Sequence, residues 1–150
     1  IRMLNYEITD ATKQLTIARS LSGYSAPFKL IGGYRLIDNG VEPEATIQIE
    51  ALGKTIHEAS NGNGPVDALA NVLKKGLTPL FPCLENITLV DYSAKILDSS
   101  SGTGTTVLVE ITFTDKTKVW KVYASSANIN AASFQVIVDG FEYAILNSVR

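Results

Sequence analysis

The chain has 150 residues, 45% of them apolar and 19% charged, with a net charge of −2 and a pI near 5.4. That suits one compact domain with a real core, and the slight acidity excludes nucleic acid or an anionic membrane surface as the main partner, since both need a basic face. No apolar run approaches the roughly 18 residues of a membrane span, and the single Cys83 excludes an internal disulfide, so a reducing, cytoplasmic setting and a buried, inert thiol are expected.

The chain opens Ile1-Arg2-Met3-Leu4, without a signal-peptide pattern, and reads as a piece of a longer polypeptide. Residues 1–24 lack strand alternation. Thr9-Asp10 predicts the cap of a short helix over Ala11–Arg19, closed by Ser20-Leu21-Ser22-Gly23, so this arm is expected to be a hinge or adaptor. Residues 25–150 form the main domain. Phe28–Ile37 reads as a strand with a bulge at Gly32-Gly33, followed by the turn residues Asp38-Asn39-Gly40. Ala45, Ile47, Ile49 and Ala51 then alternate with Thr46, Gln48 and Glu50, the pattern of a sheet with one wet face. Past a hairpin at Gly53-Lys54-Thr55, the run Asn63-Gly64-Pro65 opens a helix, with Asn63 the expected cap and proline in the first turn. Its apolar stripe is Val66, Leu69, Ala70, Leu73 and Leu77.

A strand is predicted from Ile87 to Leu97, then a flexible stretch at Ser99–Gly104, then a strand over Val107–Phe113. The last helix, roughly Asn130–Ser148, carries two apolar stripes: Phe134, Ile137, Val138, Phe141 and Ile145, and Ala132, Val136, Gly140 and Tyr143. Two stripes require that the helix be central to the core or covered by a second subunit.

Ala45–Leu73 and Val107–Val138 repeat one pattern of strand, tight connection, strand, small-polar elbow and helix. The strand starts lie 62 residues apart and the elbows at Ala59 and Ala124 lie 65 apart, so the second copy is about three residues longer around its hairpin. Two copies make a pseudo-symmetric domain, because a solenoid needs several stacked repeats. The expected class is α+β, with two βββα units.

The elbow Asn61-Gly62-Asn63-Gly64-Pro65-Val66-Asp67-Ala68-Leu69 resembles a motif of the carboxy-terminal regulatory, or LeuA dimerisation, domain of 2-isopropylmalate synthase and citramalate synthase. Leu89-Val90-Asp91-Tyr92, Gly102-Thr103-Gly104, Trp120, Asn128-Ile129 with Ala132-Ser133, and Val138-Asp139-Gly140-Phe141-Glu142-Tyr143 are similar to that domain's second half. The resemblance covers about residues 25–147. It implies a homodimeric allosteric domain that binds the pathway's end-product amino acid. The catalytic part it implies is a separate amino-terminal barrel with a divalent metal, joining an acyl-CoA to a 2-oxo acid. No cofactor, metal site or catalytic residue is expected within this chain. His57 and Glu58 are adjacent on a strand, point to opposite faces and read as solvated residues rather than ligands.

A branched-chain amino acid presents a carboxylate, an ammonium and an aliphatic tail. Helix starts offer free backbone N–H groups and a positive dipole end to the carboxylate, and two occur here, at Asn63-Gly64 and Asn128-Ile129. Carried over by the resemblance, Val66, Leu89, Ile96 and Ile129 enclose the tail, Tyr92 closes the site, and Thr103, Gly104 and Thr105 form a loop edge. Asp67 or Asp91 faces the ammonium. Strict alternation puts Leu89 and Tyr92 on opposite faces, so their joint use requires a bulge or a subunit boundary. A bulky or charged residue at Gly62 or Gly64 is expected to abolish effector binding while leaving the fold. Tyr123–Ala127 departs from the glycine-containing approach usual before the second helix. Trp120, the Asp91-Tyr92…Ile96-Leu97 strand and the Asp139…Glu142-Tyr143 ending look closer to citramalate-type enzymes, which answer to isoleucine, than to isopropylmalate-type enzymes, which answer to leucine. The alternative is a dimerisation module that binds no effector.

Overall fold

The computed structural model describes residues 7–97 and 105–148. These divide into two compact units, one holding 25–85 and the chain beyond 143, the other holding 7–24 and 86–143.

In the first unit, β2 (Lys29–Ile37), β3 (Glu44–Ala51) and β4 (Lys54–Asn61) follow β1 (Ile8–Asp10) of the arm and form an antiparallel sheet with β3 in the middle. The register of β2 against β3 slips between Leu30 and Tyr34, where Gly32 and Gly33 both have φ of +74°. Glycine takes that conformation at no steric cost, and the expected bulge is there. Asp38 and Asn39 accept the backbone N–H groups of Gly40 and Val41, which closes the turn into β3. Ala45, Ile47, Ile49 and Ala51 are buried, as their alternation predicts. Helix α2 (Pro65–Leu77) covers that face. Leu69, Ala70, Leu73 and Leu77 of its stripe are buried, while Val66 is only half-buried. Gly76 lies tight on the sheet, its absent Cβ position 3.2 Å from Ile49.

The second unit repeats the plan. β5 (Thr88–Leu97), β6 (Thr106–Thr114) and β7 (Val119–Ser126) are antiparallel, and α3 (Ile129–Leu146) follows. The two βββα units are therefore present. The β3–β4 turn has two residues, Leu52 and Gly53, both at positive φ, whereas the β6–β7 turn spans Asp115–Lys118. That longer hairpin supplies most of the length difference between the copies. Asp115 holds it by accepting hydrogen bonds from Thr117 and Lys118 at 2.7–2.9 Å.

The arm contributes β1 (Ile8–Asp10), a parallel edge strand beside β7 that the lack of alternation did not foretell, and α1 (Ala11–Arg19). A three-residue strand is too short to show a period. Asp10 caps α1 by accepting the Lys13 N–H at 3.0 Å, and Ser20 ends the helix, as expected. The described part of the arm belongs to the second compact unit, with Ala11 and Leu15 buried.

Helix α3 is buried on more than one face within a single chain, since both stripes are covered along most of their length. Phe113, Trp120 and Phe141 form its aromatic floor. Phe113 and Trp120 stack with ring centres 6.1 Å apart, Phe141 meets Phe113 edge-on, and the Trp120 indole N–H donates to the Gly140 carbonyl at 3.2 Å. Cys83 sits half-buried in a short 3₁₀ turn, Pro82–Asn86, rather than in the core; Leu84 is the residue of that turn that is fully buried. No helix among the described residues is long and apolar enough to cross a membrane.

Candidate functional site

The two elbows differ in chemistry. At the first, the chain passes under α2 at Gly62, whose Cβ position would lie 2.3 Å from the Ala68 backbone nitrogen. Gly62 also donates to the Pro43 carbonyl at 3.1 Å. The cap is Gly64 rather than the expected Asn63. Pro65 opens the helix and disfavours helical backbone at the residue before it, so extended Gly64 is the cap; its carbonyl accepts the first helical bond, from Ala68 at 2.9 Å, and it brings no side chain to the cap. Asp67 reaches back to accept the Asn63 backbone N–H at 2.9 Å. The start of α2 thus keeps a positive dipole end without a side-chain cap. Open space surrounds the Cβ position of Gly64, and its φ of −154° suits any residue. The expectation that Gly62 and Gly64 are alike in tolerating substitution is therefore corrected: only Gly64 has room.

At the second elbow the cap is filled. Asn128 accepts the N–H groups of Asn130 and Ala131 at 2.8 and 3.0 Å, and Ser126 accepts that of Asn128 at 3.1 Å. Ile129, the first helical residue, is half-exposed.

The difficulty with Leu89 and Tyr92 is resolved by a bulge at Val90. Leu89 pairs with Phe113 and Tyr92 pairs with Ile111, although an unbroken register would put them on opposite faces. Phe113, Ile111 and Val107 share a face, and Ile96 pairs with Val107. Leu89, Tyr92 and Ile96 therefore line one face of β5, the face that α3 packs against. Their exposure increases along the strand: Leu89 is half-buried, Tyr92 is 39% exposed and Ile96 is 70% exposed. The Tyr92 hydroxyl lies 3.1 Å from that of Ser133, a fully buried residue of α3. Asp91 pairs with Thr112 on the opposite face and accepts the Tyr92 backbone N–H, which turns it away from this strip. Thr105 is exposed just before β6; Thr103 and Gly104 lie outside the described residues.

The candidate residues thus form two groups. Asn63, Gly64, Val66 and Asp67 cluster at the α2 start of the first unit, and Leu89, Tyr92, Ile96, Thr105, Asn128 and Ile129 belong to the second. His57 pairs across the sheet with Gln48, and Glu58 faces Lys75 at 3.6 Å. No trio of His, Cys, Asp or Glu among the described residues is grouped to hold a metal.

One charged cluster has no local sequence signal. Arg19 at the end of α1 sends its Nη2 to Asp139 at 2.8 Å and to Glu142 at 2.7 Å, and the Tyr24 hydroxyl donates to Glu142. Gln135 adds a bond to Asp139 at 2.9 Å. Both carboxylates are over 90% buried. Burial, more than anything else, holds the Asp139 carboxyl above the usual carboxylate range, against the pull of Arg19. Burial and the Glu142 carboxylate push the Tyr24 phenol up to about 12. Burial alone would lower the Arg19 guanidinium, but hydrogen bonds to Glu142 and Asp139 outweigh it and raise it. The only hint in the sequence was two acids three residues apart within an apolar helix; their partners lie 120 residues away.

The family model of the LeuA allosteric (dimerisation) domain matches residues 7–145. The chain belongs to that family. Among similar curated proteins is the (R)-citramalate synthase of Geobacter sulfurreducens, 36% identical over 98% of this chain and 29% of that protein. Those of Streptomyces coelicolor and Synechocystis are 32% and 34% identical, over 95% and 93% of this chain and 28% and 27% of their own lengths. The chain therefore spans less than a third of each relative. Membership covers both βββα units and the described arm, and it identifies a regulatory domain of the LeuA type.

Proposed function

We propose that this LeuA-type domain binds a branched-chain amino acid and passes that event to an amino-terminal catalytic barrel, giving feedback inhibition. Isoleucine is the favoured effector and leucine the next. The parent is an acyl-CoA-dependent, citramalate-type synthase, with its divalent metal held in the barrel. The protein is cytoplasmic and acts as a homodimer, residues 1–24 are the adaptor, and residues 25–150 are the regulatory domain.

The observation that carries this reading is the Val90 bulge. It gathers Leu89, Tyr92 and Ile96 into a half-open apolar strip beside α3. Burying a branched aliphatic tail on such a strip contributes about 2–3 kcal/mol. In the first unit, taken by itself, the uncapped start of α2 suits a carboxylate; in the second, the start of α3 already has the Asn128 side chain as its cap. An apolar pocket separates isoleucine from leucine by only about 1–3 kcal/mol.

Calorimetry with isoleucine, leucine and valine tests the proposal. Gly64→Asp has room for its side chain and favours the fold as a capping acid at the helix start, yet it repels an incoming carboxylate. Ile96→Glu changes a largely exposed side chain and removes the strip's apolar end. Both variants are expected to fold and to lose at least about tenfold in affinity, which is 1.4 kcal/mol. Unchanged binding by Gly64→Asp rules out the α2 start. No heat with any of the three amino acids for the unaltered chain leaves a dimerisation module without an effector.

A further inference from the structure

We propose that Arg19, Tyr24, Asp139 and Glu142 form a latch that ties the arm to α3, making the position of that helix readable by whatever the arm leads to. The inference rests on the effector-binding reading and adds a route for its regulation.

Helix α3 is shared by two places in the second unit. Near its start, Ser133 meets Tyr92 of the apolar strip at 3.1 Å. Six and nine residues further on, Asp139 and Glu142 hold Arg19. At 1.5 Å per residue the two places are about 9–14 Å apart along one rigid element. Gln135, between them, bonds to Asp139 and braces the carboxylate from its own helix.

The composition of the latch argues for positioning rather than bulk stability. Two carboxylates, each over 90% buried, share a single cation. Replacing such a cluster with apolar side chains of similar volume is often neutral or stabilising, because removing charges from water costs so much. What the ionic cluster adds is directionality. Both bonds to Arg19 come from the same nitrogen, at 2.7 and 2.8 Å, so its two N–H groups are aimed at two acceptors one helical turn apart. A withdrawal of α3 by about 1 Å directly away from Arg19 lengthens both to about 3.7–3.8 Å, beyond good hydrogen-bonding distance. The arm is also tied to β7, by the three-residue β1 pairing and by Thr12 with the backbone of Tyr123 at 2.9 Å. Among the described residues, the Arg19–Tyr24 group grips the far half of α3 through side-chain bonds.

Effector contact with the Tyr92–Ser133 end that favours one placement of α3 must favour the latched or the unlatched arm. By reciprocity, if effector binding shifts the latch equilibrium, the state of the latch shifts effector affinity, by no more than the coupling factor between them.

The test is hydrogen–deuterium exchange of the arm amides, residues 8–19, with and without isoleucine and leucine, beside calorimetry on the same samples. The proteins are the unaltered chain, Arg19→Met, and Arg19→Met combined with Asp139→Asn and Glu142→Gln, which avoids leaving two buried carboxylates unpaired. Isoleucine is expected to change arm exchange in the unaltered chain by fivefold or more. Both variants are expected to lose that response and to shift the isoleucine Kd by a comparable factor. An arm that stays silent while isoleucine binds the unaltered chain overturns the latch, as does a response or a Kd that survives in a folded variant. If no branched-chain amino acid binds the unaltered chain, the effector reading itself falls, and the latch falls with it.

Discussion

Gly140 occupies a place where a single methyl group has a calculable effect. It lies in the middle of α3, where glycine normally weakens a helix by about 1 kcal/mol relative to alanine, so local propensity predicts that Gly140→Ala stabilises. The structure predicts the reverse. An added Cβ would lie 2.3, 2.4 and 2.8 Å from Cζ, Cε1 and Cε2 of Phe113, whereas carbon atoms in contact prefer about 3.5–4.0 Å. Something must retreat by more than about 1 Å. Phe113 has nowhere to go, being fully buried, stacked on Trp120 and met edge-on by Phe141. Moving the helix instead stretches the 3.2 Å bond from Trp120 to the Gly140 carbonyl. Overpacking of this kind costs about 1–3 kcal/mol, and the rigid surroundings place it at the upper end. After the propensity gain of about 1 kcal/mol, the net loss is about 2 kcal/mol, or roughly 4–8 °C in Tm for a chain of this size. Trp120 is the only tryptophan, so its fluorescence during urea unfolding reads this spot directly. Shortening the ring in Phe113→Leu should return part of the loss in the Gly140→Ala background, although Phe113→Leu alone destabilises. A Gly140→Ala protein as stable as the parent would refute the close approach.

The two glycines of the first elbow should part company in a thermal melt. Gly62→Ala drives a Cβ into the Ala68 backbone, which cannot swing aside, and should cost about 3 kcal/mol or more. Gly64→Ala meets open space and should cost no more than about 1 kcal/mol, for a poorer cap; equal losses would contradict the geometry. Two aspartates should bend the pH dependence of stability in opposite senses. Burial raises the Asp139 pKa in the folded chain, so its contribution is complete below the unfolded value of about 4 and is lost as pH rises through the folded value. The parent should therefore gain on Asp139→Asn as pH falls from 7 toward 4. For Asp115, burial raises the pKa, but hydrogen bonds from Lys118 and Thr117 outweigh it and lower the pKa overall. Its contribution is present above the unfolded value and lost as pH falls through the folded one, so Asp115→Asn should flatten the acid limb in denaturant titrations at stepped pH. Parallel titration curves for parent and variant would refute either assignment.

Where structure follows from neighbours in the chain, the residues announced it. The alternation of Ala45, Ile47, Ile49 and Ala51, the Gly32-Gly33 bulge, the Asp10 cap and the doubled stripe of α3 all appear where their local chemistry put them. The repeat of strands, elbow and helix was likewise legible, because each copy had to satisfy the same local rules. The Val90 bulge was required only conditionally, as the one way for Leu89 and Tyr92 to share a face.

Contacts between residues distant in sequence were decided by packing alone. Gly62 and Gly64 look alike in a string of letters, and only the neighbouring backbone distinguishes them. Arg19 and Tyr24 look like solvated arm residues until α3 brings two buried carboxylates to them across some 120 positions. Periodicity and capping are properties of a few adjacent residues, so the sequence by itself determined the elements, their faces and their duplication. Steric exclusion and the pairing of buried charge depend on atoms from remote segments meeting in space, and only the tertiary structure decided those.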